Sequence, residues 1–267
     1  FIKCIQDIHP HIDIAVKNNV SKWQKELDAE LMPNNVLRLS ESGLISDKKG
    51  YDAGEWWVQD YSSQLPVKCL TIGQDDEILD LCAAPGGKTA QMLALGAKVH
   101  SIDLSDKRII RFKENMRRLK FNPVIDNADI LTYKTEKKWQ KILLDVPCSS
   151  TGTIRKNPDI LYSKNEKSVS NLVNLQTRLL EKSWSLLGKN GHLIYCNCSL
   201  EIEEGEMQII NFLKHHEDCQ IDKISSNLIE DIQDSVTKEG WLRILPNGKK
   251  GVKNRDGFFI ARLKKIS

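Results

Sequence analysis

No long apolar run occurs in this chain. Its longest, such as Ile78-Leu79 and Ile142-Leu143-Leu144, fall far short of the roughly 20 residues that a bilayer-crossing helix needs. A membrane-embedded function is excluded, and a cytoplasmic protein is expected. Internal repeats and low-complexity tracts are missing too, which removes repeat architectures. There is no signal peptide, and the first residue is Phe1 rather than Met. The expectation is a fragment with sequence missing upstream. Cysteine pairs at zinc-ligand spacing are also lacking. Cys196-x-Cys198 has no second pair to match it, so no metal site is expected. Seven cysteines, an odd number at irregular spacing, do not form a secreted disulfide framework. Reduced thiols are the default, with Cys4, Cys69 and Cys219 as ordinary small hydrophobes.

Charge of one sign is not in excess either, and a net charge of +3 excludes no partner. Its local distribution says more. Lys107, Arg108, Arg111, Lys113, Arg117, Arg118 and Lys120 lie in one run against Glu114, and Lys249, Lys250, Lys253 and Arg255 form a second. Such clusters bind phosphates or form a solvated face.

What is present is 267 residues, 40% hydrophobic and 28% charged, enough for one large domain or a large and a small one. From about Asp76 onward, short apolar strands alternate with longer helical patterns. Strands are expected at Glu77–Cys82, Lys98–Ile102, Pro123–Asn127, Lys141–Asp145, His192–Cys196 and Gly257–Leu263. Helices are expected at Lys88–Leu95, Ser105–Leu119 (capped by Ser105), Ser168–Leu187 and Glu203–Leu213. Repeated βα units imply a mostly parallel sheet with helices on both faces and a ligand crevice at the carboxyl ends of the strands. Before residue 55 a small α+β appendage is expected. It has strands at Ile12–Lys17 and Val36–Leu39, a helix over Val20–Leu31, and turns at Ser42-Gly43 and Lys49-Gly50. A helix over Glu55–Leu70 joins it to the rest.

Three motifs should meet in that crevice: Asp80–Thr89, Asp145-Val146-Pro147-Cys148-Ser149-Ser150 and Tyr195-Cys196-Asn197-Cys198-Ser199. Gly86-Gly87-Lys88-Thr89 invites a phosphate-loop reading, but Cys82 stands where that motif needs its first glycine. A dinucleotide G-x-G-x-x-G is absent as well. Strand, Ala83-Ala84-Pro85, two glycines and a helix start remain. Glycine admits close approach to the backbone, and the helix start offers free N–H groups. S-adenosylmethionine (SAM), with a zwitterionic amino-acid end, fits that arrangement. Asp103 lies 17 residues past Gly86, placed to grip ribose hydroxyls; its alternative is a helix-capping or loop aspartate. Asp129 follows the third strand and is either an adenine contact or an exposed loop acid.

Cysteine in the Asp145–Cys148 motif is poor at positioning an amine but suits another problem. Carbon 5 of a pyrimidine is not nucleophilic until a thiolate adds to carbon 6. Methyl transfer, loss of the carbon-5 proton and thiolate expulsion then complete a covalent route. A free thiol has a pKa of about 8.5, so nearby positive charge must lower it. Lys88 and Arg155 are candidates, or else surface and salt-bridge cations.

With these residues in hand, the chain resembles the RNA 5-methylcytosine methyltransferases, most closely the bacterial Sun/Fmu (RsmB) branch acting on small-subunit ribosomal RNA. Gly54-Glu55-Trp56-Trp57-Val58-Gln59-Asp60, Ala83–Thr89, Pro147–Gly152, Asn157-Pro158-Asp159-Ile160 and Asp256-Gly257-Phe258-Phe259 carry the likeness over nearly the whole chain. The resemblance implies a Rossmann-like SAM-dependent methyltransferase fold over 55–267, with a seven-stranded mostly parallel sheet whose last strand is antiparallel. It also implies a partial RNA-recognition-like α+β subdomain over 1–54, preceded in family members by an all-helical domain. It makes Cys198 the nucleophile and Cys148 the residue assisting release. Asp145 and Lys88 would lie between cofactor and base. Cofactor contacts are implied for Cys82, Ala83, Ala84, Pro85, Gly86, Gly87, Lys88, Asp103, Arg108, Asp129, Asp145 and Pro147. RNA contacts are expected from Arg111, Arg117, Arg155 and Lys156. The target cytosine must leave its stack, at a cost of roughly a few kcal/mol.

The usual Thr-Cys-Ser is Asn197-Cys198-Ser199 here, the usual Gly-Asp is Ala128-Asp129, and the usual His-Pro-Asp is Asn157-Pro158-Asp159. Cys196 is an additional thiol on the same side of the strand as Cys198, a decoy or a redox partner. Alternatives are a methyltransferase for a transfer RNA, a protein or a small molecule, and a non-catalytic RNA-binding assembly factor. DNA cytosine methyltransferases use the Pro-Cys cysteine as nucleophile, whereas the Cys-Ser partner points to RNA. A monomer is the default.

Overall fold

The computed structural model describes residues 11–40, 43–225, 229–230, 233–246 and 252–267. Cys4, Ser42, Lys249 and Lys250 lie outside the described residues. Strands β1 (Ile12–Val16), β2 (Ala29–Met32), β3 (Val36–Leu39) and β4 (Trp56–Val58) form an antiparallel sheet in the order β2-β3-β1-β4. Helix α1 (Val20–Glu26) lays Trp23 against Ile14, Leu37 and Trp56.

Two expectations for this part are corrected. The helix foreseen over Val20–Leu31 ends at Glu26. Asp28 takes a left-handed φ of 46°, and the chain turns back as β2. The helix foreseen over Glu55–Leu70 begins as a strand instead. Trp56 packs into the small sheet's own core, while Trp57 packs against Phe112 and Met116 of the larger part. That is the two-residue period of a strand, not a helical stripe. Helix α2 (Tyr61–Cys69) starts only after Asp60, whose carboxylate accepts the Ser62 N–H at 2.9 Å.

The alternating pattern beyond residue 76 gives β5 (Glu77–Leu81), α3 (Gly87–Ala94), β6 (Lys98–Asp103), α4 (Asp106–Arg118), β7 (Val124–Asn127) and β8 (Trp139–Asp145). Next come α5 (Ile160–Ser163), α6 (Glu166–Leu186), β9 (Leu187–Asn197), α7 (Glu206–His215), β10 (Cys219–Ile221), β11 (Leu242–Ile244) and β12 (Phe258–Lys265). The sheet runs β10-β12-β9-β8-β5-β6-β7. Neighbours from β9 through β7 are parallel, and β12 is antiparallel to β9. These seven strands are the Rossmann-like methyltransferase sheet that the resemblance implies, with the last strand antiparallel. Strand β11 pairs with β12 off that path. Neither β10 nor β11, three residues each, is long enough to leave a readable alternation.

Both faces of the sheet are buried, as βα crossovers require. Leu79, Leu81, Leu193, Tyr195 and Phe259 pack under α6 and α7 with Leu180, Trp184 and Phe212. Ile78, Ile194, Cys196 and Ile260 pack on the other face with Tyr61, Leu65 and Met92. Among the described residues, no helix is long and apolar enough to cross a membrane.

Candidate active site

The loop after β5 leaves the sheet through Cys82, which holds φ at 60°, and reaches Gly86 at φ 100°. A side chain at Gly86 would place Cβ 2.8 Å from Met116 Cε and 2.9 Å from Phe112 Cδ2. Only glycine lets the loop lie this close to α4. Gly86 is also the N-cap of α3, and no side chain caps it. The first N–H groups of α3 are therefore available to an anionic ligand group. Asp80, buried in β5, receives the Thr89 hydroxyl at 2.5 Å and anchors α3 to the sheet. Burial raises Asp80 to about 7.

Asp103, at the end of β6, is buried and accepts Ala84 N–H at 3.0 Å and Ser105 N–H at 2.9 Å. Ser105 in turn caps α4. Arg108 donates to the Ala84 carbonyl and lies 3.7 Å from Asp103. These groups open onto a cavity of about 220 Å³, with Asp103, Arg108, Asp129, Cys82, Ile130 and Pro147 among its lining. Asp129 is half-buried, and its carboxylate accepts Leu131 N–H at 2.9 Å. Burial pushes the Cys82 thiol up, so it is a neutral side chain in the cavity wall. An acid for hydroxyls, apolar walls and an uncapped helix start fit SAM. Asp103, Asp129, Pro147 and the Ala83–Gly87 backbone would hold it.

At the ends of β8 and β9 the other two motifs meet. Lys88 Nζ donates to Asp145 Oδ2 at 2.6 Å and lies 5.3 Å above the Phe258 ring. Burial opposes the charge on Lys88, but Asp145 outweighs it and holds the ammonium above its ordinary range. The Cys196 thiol is fully buried and donates to Asp145 Oδ1 at 3.5 Å. Burial and the Asp145 charge push Cys196 far up, so it is held as a thiol.

Cys148 and Cys198 are partly exposed, with their Sγ atoms 3.6 Å apart. A hydrogen bond from Cys148 holds Cys198 below the ordinary thiol range, against burial, with help from Ser150 and Lys88. The same bond, burial and the charges of Cys198 and Glu204 push Cys148 well up. The two thiols are thus biased in opposite directions, Cys198 toward the thiolate and Cys148 toward the thiol. Arg155, the other candidate cation, is paired with Asp60 and Asp256.

Gly152 fixes the spacing of the two loops. Its N–H donates to Cys198 O at 2.9 Å and its carbonyl accepts from Gly257 N–H at 2.8 Å. A Cβ there would fall 2.2 Å from Gly257 O. The Asn197 amide is buried, donating to Glu204 O at 2.7 Å and accepting Ser199 N–H at 3.0 Å.

Arg155 and Lys156, expected on RNA phosphates, are ion-paired within the protein. Arg155 is buried, donating to Asp60 at 2.9 Å and Asp256 at 3.0 Å, and Lys156 binds the same two acids at 2.6 and 2.9 Å. Their charge is spent internally. Arg111 and Arg117 lie on the exposed face of α4, opposite Ile109, Phe112 and Met116. Glu204, Gln176 and Tyr195 were not legible as site residues. The one available signal was an acid directly before Gly205, ahead of the helix that starts at Glu206.

Comparison with known proteins places this site in a family. The family described as 16S rRNA methyltransferase RsmB/F matches residues 67–264. Ribosomal RNA small subunit methyltransferase B of Photorhabdus laumondii is 36% identical over 246 residues, covering 90% of this chain and 54% of that protein. This chain thus spans about half the length of the curated relatives it matches. A methyltransferase homolog protein from Pyrococcus horikoshii superposes with a TM-score of 0.81 at 25% identity, covering 99% of this chain and 89% of that one. The crystal structure of NSun6 from Pyrococcus horikoshii with SFG superposes at 0.73 with 26% identity, covering 85% of this chain and 57% of that one.

Proposed function

From its membership of the 16S rRNA methyltransferase RsmB/F family, to which the chain belongs, we propose that it methylates carbon 5 of a cytosine in small-subunit ribosomal RNA. The observation that carries this reading is the thiol pair, 3.6 Å apart and with acidities shifted in opposite directions, beside the cofactor cavity. Cys198, the thiolate, adds to carbon 6 of the base and makes carbon 5 nucleophilic. Asp145 faces the base and is held from behind by Lys88 and Cys196. SAM bound in the cavity supplies an electrophilic methyl group.

Release requires a base to take the carbon-5 proton. The electrons of that bond re-form the carbon 5–carbon 6 double bond, and the carbon 6–sulfur bond breaks. The departing Cys198 thiolate then receives the Cys148 S–H hydrogen bond, which stabilises it as a leaving group. Arg111 and Arg117 on α4 hold flanking phosphates.

The test is incubation with SAM and unmodified small-subunit ribosomal RNA, followed by nucleoside mass spectrometry and a denaturing gel. Wild type should form 5-methylcytosine and Cys198→Ala none. Cys148→Ala should trap an RNA adduct. Product persisting in Cys198→Ala would move the nucleophile to another thiol.

A further inference from the structure

Glu204 belongs to neither cysteine motif, yet it is fully buried between them. Its carboxylate accepts Ser149 N–H through both oxygens, at 2.9 and 3.2 Å, together with the Ser149 hydroxyl and the Gln176 amide at 2.9 Å. Its carbonyl accepts the Tyr195 hydroxyl and the Asn197 amide, each at 2.7 Å. One residue is thus bonded to the neighbour of Cys148 on one side and to the neighbour of Cys198 on the other. The Ser199 hydroxyl, 3.0 Å from the Ser149 hydroxyl, closes the ring. Burying so polar a group is costly unless it is hydrogen-bonded, and both oxygens of Glu204 meet donors.

We propose that Glu204 is a positioning residue that decides which of the two active-site thiols carries the negative charge. The inference rests on the covalent route proposed above. Two thiolates 3.6 Å apart repel, so the pair holds one charge, and small asymmetries settle where it sits. On the Cys198 side Lys88 attracts the charge, while Asp145 opposes it. The buried Cys196 and Tyr195 stay protonated beside them. On the Cys148 side stands Glu204, whose charge disfavours a second anion. Its bonds to Ser149 also fix the loop that aims the Cys148 S–H at Cys198. Without Glu204 the charge spreads toward Cys148, and the nucleophile loses both its thiolate fraction and its donor.

The test reads the thiols directly and needs neither RNA nor methyl transfer, so it fails independently of the proposed reaction. The full chain is treated with iodoacetamide across a range of pH, and labelling at Cys148 and Cys198 is counted by peptide mass spectrometry. Wild type labels chiefly at Cys198. In Glu204→Gln the Cys198-to-Cys148 ratio should fall about tenfold, the equivalent of one pKa unit. SAM affinity by calorimetry should stay at the wild-type value. A Glu204→Gln protein that binds SAM normally and keeps the wild-type ratio and pH midpoint overturns the proposal. Should Glu204→Gln fail to bind SAM, Ser149→Ala decides, because it removes the hydroxyl that ties the Cys148 loop to Glu204, Ser199 and Thr151 and leaves the carboxylate in place. There the ratio should fall about threefold, roughly half a pKa unit, and an unchanged ratio overturns the proposal.

Discussion

Where β5 and β6 end, the ligand-facing groups are mostly backbone: the turn at Cys82–Gly86, the uncapped start of α3, and one acid, Asp103, braced by two N–H groups. Where β8 and β9 end, they are side chains locked by other side chains, with Glu204, Ser149, Ser199, Gln176 and Asn197 buried behind two thiols. The first region must admit and release a diffusible cofactor, and backbone donors tolerate small displacements. In the proposed reaction the second must hold a nucleophile and its hydrogen-bond donor within a fraction of an ångström, which a fully satisfied network achieves. Damage should therefore be graded in one region and near all-or-none in the other.

The sharpest separation comes from Cys198→Ala, which should lower methyl incorporation by at least about a thousandfold with SAM affinity unchanged in calorimetry. Weakened cofactor binding in that variant would mean the two regions are not independent. The reciprocal change, Asp103→Ala, should weaken SAM binding by roughly ten- to a hundredfold, the worth of a hydrogen bond to a charged group. Cys198 alkylation should keep its wild-type pH profile.

Gly86→Ala should lower unfolding stability by about 1–3 kcal/mol, from its positive φ and its contact with Met116 and Phe112. Denaturant titration measures this, and a neutral result would show that the loop can rearrange. A further contrast concerns pH. Asp80 is raised in the folded state from 3.8 to about 7, so its contribution is present in full below about pH 4 and lost as pH rises through 7. Asp80→Asn should flatten the stability profile over that window, and an undiminished slope would assign it to another group.

The convergence of Asp103, Cys148 and Cys198 on one edge of the sheet was legible because each lies at a strand end or within three residues beyond it. The βα alternation likewise placed β5 through β9. The errors have physical reasons. Trp56 and Trp57 are adjacent and both apolar, and two residues cannot reveal whether the period is 2 or 3.6. For Arg155 the salt-bridge alternative stayed open, and no partner could be named for it or for Lys156, because Asp60 and Asp256 lie about a hundred residues away on either side. Glu204 was hidden by composition. It sits in an acidic run, Glu201 to Glu206, where one buried acid looks like its exposed neighbour Glu203.

The Asp60–Arg155–Lys156–Asp256 cluster also joins segments far apart in the chain. Its acids come from the entry to α2 and from the loop before β12, and its cations from the segment just after the Cys148 loop. Buried cations left with one acid instead of two are strongly disfavoured, and β12 also pairs along β9, the strand that ends one residue before Cys198. The pairing of Cys148 with Cys198 is thus tied to the docking of β12, a strand far beyond either cysteine in sequence.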